Sequence, residues 1–357
     1  MYLWTKIVSQ PWRRTASLAI GGLILLQGLH APVAAQTPDA EKPVPILSGS
    51  AGFFTNVAGG QNQLDTQFNP VLLLPLGERW LVEGRGEFEG KFQRPGGGGP
   101  YGGPVDKHLD YFQADYIANS HLTVTVGRFL TPFGIFNERL YPIWIRALQP
   151  DPLILPIATA SGDGAMLRGG FALTSKVNFN YAAYGSVTSI AVSGVESERH
   201  AGGRMGVFLP GPRLEVGGSW QRTLQDVRAN SFGFHLGWQP PGIPLNLRSE
   251  YARSITGSGY WIEGAYRLSQ APFWTRAMRR TEVVARAQQF FSGAVPNPDL
   301  PAENAREADF GINYFLHDGL KGAASYGRQF SSAGNFNLWT VGIAYRFLIP
   351  LGHVGTP

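Results

Sequence analysis

The residues of RWLVEGRGEFEGKFQ (79–93) best placed to do chemistry are charged and evenly spaced: Glu83, Arg85, Glu87, Glu89 and Lys91. Odd-numbered positions share one face of an extended strand, because successive side chains point to opposite faces. What these charges could do follows from what the chain lacks. There is no Cys and no GxSxG, so neither thiolate chemistry nor a serine-hydrolase elbow is expected. His108, His121, His200, His235, His317 and His353 are scattered singly, without the spacing of metal ligands. GGGGPYGG (96–103) has no Lys-Ser/Thr pair and no following helix, so it reads as a loop rather than a phosphate cradle. No cofactor, no metal and no enzymatic activity are expected. A file of fixed charges remains, and it acts on passing ions and dipoles through its field.

The other parity of this strand carries Trp80, Val82, Gly84, Gly86, Phe88, Gly90 and Phe92. The last strand repeats the pattern, with Trp339, Val341, Ile343, Tyr345 and Phe347 opposed to Thr340, Gly342, Ala344 and Arg346. Taking the apolar side of every strand as outward adds Arg168, Arg204, Arg248, Arg267 and Arg286 to the inward set, and Asp115, Glu215, Glu250, Glu263, Glu307 and Asp309 to its acids. Inward bases and acids nearly balance, and no basic cluster of the kind that desolvates phosphate is visible. Acids concentrate on the third strand and bases on later ones such as 279–291. Such charges either oppose each other across a lumen or pair laterally and stabilise the wall. Arg128 falls on the outward parity, costly in lipid, and is assigned a structural role.

These charges need a frame to hold them. Residues 1–35 read as a signal peptide: Lys6, Arg13 and Arg14, an apolar run at 17–29, then APVAAQ. Its removal takes the formal charge from +5 to +2, since the segment holds three bases and no acid. Residues 36–46 read as a short periplasmic segment, 47–348 as the main domain and 349–357 as a tail. Period-two alternation dominates 47–347 and gives an all-β transmembrane antiparallel barrel of sixteen strands, with fourteen or eighteen as the alternatives. Short connections (LG, NS, TS, HDG) tend to alternate with long ones (93–107, 129–163, 188–199, 292–307), as periplasmic turns alternate with extracellular loops. SQAPFWTRAM (269–278) is long for a periplasmic turn. HLTVTVGRFLTPFGIFNERL (121–140) starts as a strand and is broken by Pro132 and Gly134. The irregular segment it opens is the third long loop, rich in aromatics and prolines, and suits packing against an inner wall. Glu138, Arg139, Arg146 and Asp151 are its candidate constriction residues.

VGRFLTPFGIFNERL (126–140), the hairpin NYFLHDGLKGAASYGRQF (313–330) and the closing FNLWTVGIAYRF (336–347) resemble the phosphate- and polyphosphate-selective porin family in its broad sense. The resemblance covers about a fifth of the mature chain. It implies a sixteen-stranded, homotrimeric diffusion channel of the outer membrane, inserted by the barrel assembly machinery, whose third loop folds inward. The chain departs from it in two ways: Phe347 is followed by LIPLGHVGTP, and the balanced inward charge does not carry phosphate selectivity over. The function expected is passive diffusion of small hydrophilic solutes or ions, with outer-membrane lipid as the surroundings and no nucleic-acid partner. A non-conducting barrel with an adhesive or structural role is the alternative. An energy-coupled receptor does not fit, because about eleven residues before the first strand leave no room for a plug.

Overall fold

Alternating apolar and polar side chains force each strand to bury one face and wet the other, and this chain solves the problem by closing a single sheet on itself. The computed structural model describes residues 44–94, 98–158, 161–225 and 228–352. The expected signal peptide, residues 36–43 and residues 353–357 lie outside them. The strands are β1 (Ile46–Ala58), β2 (Gln61–Leu76), β3 (Trp80–Gln93), β4 (Val105–Asn119), β5 (Leu122–Leu130), β6 (Ser161–Thr174), β7 (Val177–Ser186) and β8 (His200–Leu209). They continue as β9 (Leu214–Thr223), β10 (Asn230–Trp238), β11 (Leu245–Arg253), β12 (Gly257–Arg267), β13 (Thr281–Ser292), β14 (Ala305–His317), β15 (Leu320–Ser331) and β16 (Gly334–Pro350). Each pairs antiparallel with its sequence neighbours, and β1 pairs with β16 from Ile46↔Pro350 to Ala58↔Leu338, closing the barrel. Closure leaves no unpaired edge, so the ladder satisfies its own backbone groups inside hydrocarbon.

The outer surface explains the composition. Phe53, Phe68, Phe88, Phe112, Phe234, Phe310, Trp339, Val341 and Ile343 are exposed. Aromatic pairs such as Trp80–Tyr116 (4.8 Å) and Tyr326–Trp339 (4.5 Å) lie among them. An apolar surface this extensive is a liability in water and an asset in lipid. Among the described residues no helix is long and apolar enough to cross a membrane; the strands do the crossing.

Two boundaries differ most from the sequence reading. Sequence alternation places the second strand at 66–76, but β2 starts at Gln61, because Gly59 (φ 57°) and Gly60 (φ 82°) form a two-residue turn. Both central residues are left-handed there, which matches the twist of a tight hairpin. A short connection therefore stands on the side expected to be long. The closing strand runs to Pro350 rather than 348 because β1 offers it partners that far. The long turn after β12 holds a 3-10 turn (Leu268–Gln270) and a helical turn (Thr275–Met278), so its length is spent on local structure.

Candidate pore and constriction

Segment 131–158 is where the sequence stops alternating, and its contacts run to the wall side chains opposite in parity to the exposed aromatics. Pro132 ends the ladder of β5, and Gly134 (φ 64°) turns the chain in a left-handed conformation. A Cβ on Gly134 would lie 1.8 Å from Oε1 of Glu250, so only glycine fits. The backbone N–H groups of Ile135 and Phe136 donate to Glu250 Oε2 (3.2 and 3.3 Å), and that of Gly134 donates to Ser219 Oγ (3.0 Å). Arg204 donates to the Gly134 carbonyl (3.0 Å). Next, Phe136–Leu140 forms a turn of π-helix.

Apolar contacts complete the docking. Phe133, Ile135, Phe136, Ile154 and Ile157 pack with Ala252, Trp261, Phe290 and Leu300. Ala147 and Leu148 meet Ala265 and Val284, while Ile143 and Trp144 meet Phe54 and Ala344. Residues of β13, β14 and β15 then bind the segment's irregular backbone. Arg286 donates to Pro150 O (2.8 Å), Asn313 to Ala147 O (2.8 Å), and the Leu153 N–H to Gln288 Oε1 (2.9 Å). Lys321 Nζ reaches three carbonyls, of Ile143 (3.3 Å), Trp144 (3.1 Å) and Arg146 (2.8 Å). A backbone without regular structure survives away from water only when its carbonyls find donors in this way.

The four loop residues singled out by the sequence all lie in ion pairs. Glu138 bonds Arg204 (2.7 Å) and lies 3.6 Å from Arg168. Burial alone would raise the Glu138 carboxyl, but Arg204, Arg168 and Arg139 outweigh it and hold it below the ordinary carboxylate range. Arg139 clamps both oxygens of Glu215 (3.0 and 2.8 Å), and His235 approaches the same carboxylate at 3.6 Å. Arg146 pairs with Asp151 (2.9 Å), donates to the Tyr141 carbonyl and stacks over the Tyr141 ring (4.5 Å).

The expected pore-lining residues divide into two groups. Arg204, Arg248 and Arg286 do not face open lumen: Arg286 is 2% exposed, and all three are buried, against the loop backbone or against neighbouring acids. Arg248 bonds its cross-strand partner Glu263 (2.6 Å), and Arg286 bonds Asp309 (3.1 Å). Arg267 lies over the Phe315 ring (3.8 Å). Strand parity alone could not show that a loop covers these bases. By contrast, the side chains of Lys91 (45% exposed) and Arg168 (31%) remain accessible.

The wall built by β2, β3 and β4 carries the acids. Glu83 accepts from Gln113 (2.8 Å), Glu87 from Asn69 (3.2 Å) and from the Tyr141 hydroxyl (3.1 Å), and Glu89 from Gln67 (3.1 Å). Burial, with Asp151 and Glu87 close by, pushes the Tyr141 phenol well above its ordinary value, so it stays a donor. Lys91 reaches Glu89 at 2.6 Å, and Arg85, buried beneath Tyr111 and Tyr141, bonds Asp110 at 2.6 Å. Among the described residues, Asp65, Glu83, Glu87 and Asp115 have no base within 4.0 Å.

Sequence reasoning missed Asp65, Gln67, Asn69 and Asp110. Asp65 falls before the start expected for the second strand, for which the Gly59-Gly60 turn was the available signal, whereas Gln67 and Asn69 fall within that strand but carry no charge. Asp110 is brought to Arg85 by a bulge that shifts the β3–β4 register at Arg85/Gly86, which alternation does not reveal. Arg128 does sit on the outward parity, where it bonds Asp163 (2.9 Å) and the carbonyls of Leu109, Val195 and Glu196. Segment 187–199 thus folds over it, and Gly127 (φ 113°) beside it bends the strand. Among the described residues no group of three or more His, Cys, Asp or Glu gathers as a metal site would.

No protein-family model matches the chain, and no curated protein matches its sequence. Solved structures do resemble it. The high-pH structure of Pseudomonas putida OprB is 12% identical with a TM-score of 0.59, over 85% of this chain and 94% of that one. OmpT, an outer-membrane protein of Vibrio cholerae, in a form lacking loop L8, is 10% identical (TM-score 0.53; 85% and 100%). An anion-selective porin from Comamonas acidovorans is 12% identical (TM-score 0.50; 85% and 98%). At these identities the likeness is one of fold: a closed sixteen-stranded antiparallel barrel, whose greasy exterior belongs in the outer membrane of a Gram-negative-type bacterium.

Proposed function

We propose that the protein is a passive diffusion channel for small hydrophilic solutes or ions. The observation that carries this reading is the asymmetric interior. Segment 131–158 is fastened mainly along β8 to β15, by Glu250, Arg204, Arg286, Asn313 and Lys321, it reaches β3 only through Tyr141 among the hydrogen bonds described, and the side chains of Lys91 and Arg168 stay accessible. A loop folded inward and fastened mainly along part of the wall narrows the passage, and charges that stay accessible sort what passes. The constriction is then formed by Glu138, Arg139, Arg146 and Asp151 on the loop and by the β3 face opposite. Deep burial of Arg85 and Glu87 supports a narrow aperture.

Phosphate specificity is not part of this reading. Arg139, Arg168 and Arg204 come from distant parts of the chain, yet they converge on the carboxylates of Glu138 and Glu215, which offset their charge. Assembly as a homotrimer and insertion by the barrel assembly machinery follow from the same reading, and cross-linking in native membranes tests the first. No catalysis and no cofactor are assigned. The same burial also supports a second reading, a barrel filled too tightly to conduct and serving the envelope mechanically. Planar-bilayer recording separates the two: folded protein that never produces current steps rejects the channel.

A further inference from the structure

On the inner face of the barrel, β2 presents Asp65, Gln67 and Asn69 beside Glu87 and Glu89 of β3, and this column lacks hydrogen-bond donors. Gln67 and Asn69, the β2 amides beside these carboxylates, spend their N–H groups on them. Gln67 Nε2 donates to Asp65 (3.3 Å) and Glu89 (3.1 Å), and Asn69 Nδ2 donates to Glu87 (3.2 Å). Those bonds fix the amide orientations, since a flipped amide would set its oxygen against a carboxylate. The oxygens are consequently left over: Asp65 Oδ1, Gln67 Oε1 and Asn69 Oδ1 are buried without a partner. Asn69 is 3% exposed and Asp65 7%. A buried acceptor without a donor is costly, and here three stand in a row on one strand.

The charge points the same way. Three carboxylates, Asp65, Glu87 and Glu89, share the column with one ammonium, Lys91, which is held by Glu89 at 2.6 Å. The neighbouring Arg85 is committed to Asp110. The column opens to the lumen at its Glu89–Lys91 end, where the side chains are 18% and 45% exposed.

We infer that this column is a binding track for organic cations that carry N–H donors, alkylammonium or guanidinium groups, on their way through the barrel. The inference deepens the channel reading and rests on it for its physiological sense. Positive charge alone satisfies the carboxylates, whereas the leftover oxygens of Asp65, Gln67 and Asn69 ask for N–H. Successive rungs on one face of a strand lie ~7 Å apart, which suits two ammonium groups joined by a short methylene chain.

The test compares butane-1,4-diammonium with its fully N-methylated analogue, which keeps both charges and has no N–H. Calorimetric titration of the detergent-solubilised wild-type barrel should show the diammonium binding at least about tenfold more tightly, a difference of ~1.4 kcal/mol. Asp65→Asn combined with Glu89→Gln should weaken the diammonium by at least about tenfold, in protein whose heat-modifiable migration shows a folded barrel. Equal affinity for the two cations overturns the inference, and this comparison needs no variant. Affinity unchanged in a folded double variant overturns it as well. Binding without current in bilayers removes the channel and leaves the site; current without binding removes the site and leaves the channel.

Discussion

The two sides of the interior wall are built from similar residue types and do different work. On β8 to β15, charged and amide side chains point inward and are consumed: Arg204, Glu250, Arg286, Asn313 and Lys321 hold the backbone of the third loop. On β2 to β4, Asp65, Glu83, Glu87 and Asp115 point inward and meet amides and hydroxyls rather than bases. The difference teaches that an inward charge on a barrel strand is not yet a pore charge. A loop packed over it and paired with it converts it into a fastening, and only charges left without a countercharge retain a field for solutes.

Substitutions on each side should therefore fail differently. The largest effect is expected from Gly134→Val. It places a β-branched residue at φ 64° and drives it into Glu250. Backbone strain of about 1–2 kcal/mol adds to the loss of two charge-assisted bonds at about 1.5–3 kcal/mol each. The loop should leave the wall, seen as new protease cleavage within 131–160 and as larger single-channel conductance. Unchanged cleavage and conductance would show that Glu250 is not what holds it.

Lys321→Met comes next. Lys321 is 1% exposed and its ammonium serves three carbonyls, so the variant should lose about 3 kcal/mol by denaturant titration, together with increased cleavage near Ile143–Arg146. Stability within error of the wild type would place the loop's anchorage elsewhere.

Acid should loosen the same clasp more gently. Glu138 titrates below its unfolded value of roughly 4.3, so its contribution is present above that pH and is lost as pH falls through the lower folded value. Loop cleavage should therefore rise only in acid, below the ordinary carboxylate range, and Glu138→Gln, already without the charge, should flatten that dependence. A transition centred near neutrality would assign the sensitivity to another group.

The smallest structural effect belongs to the other side. Glu83→Gln, Glu87→Gln and Glu89→Gln together should change stability by less than about 1 kcal/mol, yet move the reversal potential in a salt gradient toward anions. No movement would mean these carboxylates never meet the permeating ion.

Much of this architecture is legible in the sequence because barrel physics is local. Alternation such as Trp339-Thr340-Val341 announces a wall with one face in lipid, and Pro132 with Gly134 marks where a strand must end. The polar rungs of β2 are harder to read. Gln67 and Asn69 carry no charge, and the Gly59-Gly60 turn shifts where the strand begins. Which arginines face water is not legible at all. Arg204 meets Glu138 across 66 residues and Arg286 meets Pro150 across 136, so their burial is a property of the docked loop rather than of any strand.

The account is tested most directly by recording wild-type barrels, verified as folded by heat-modifiable migration, in a planar bilayer under a salt gradient. It predicts discrete ohmic steps whose reversal potential lies on the cation side, as an uncovered acidic wall requires. Folded protein that inserts and produces no steps, or steps that reverse on the anion side, would contradict it.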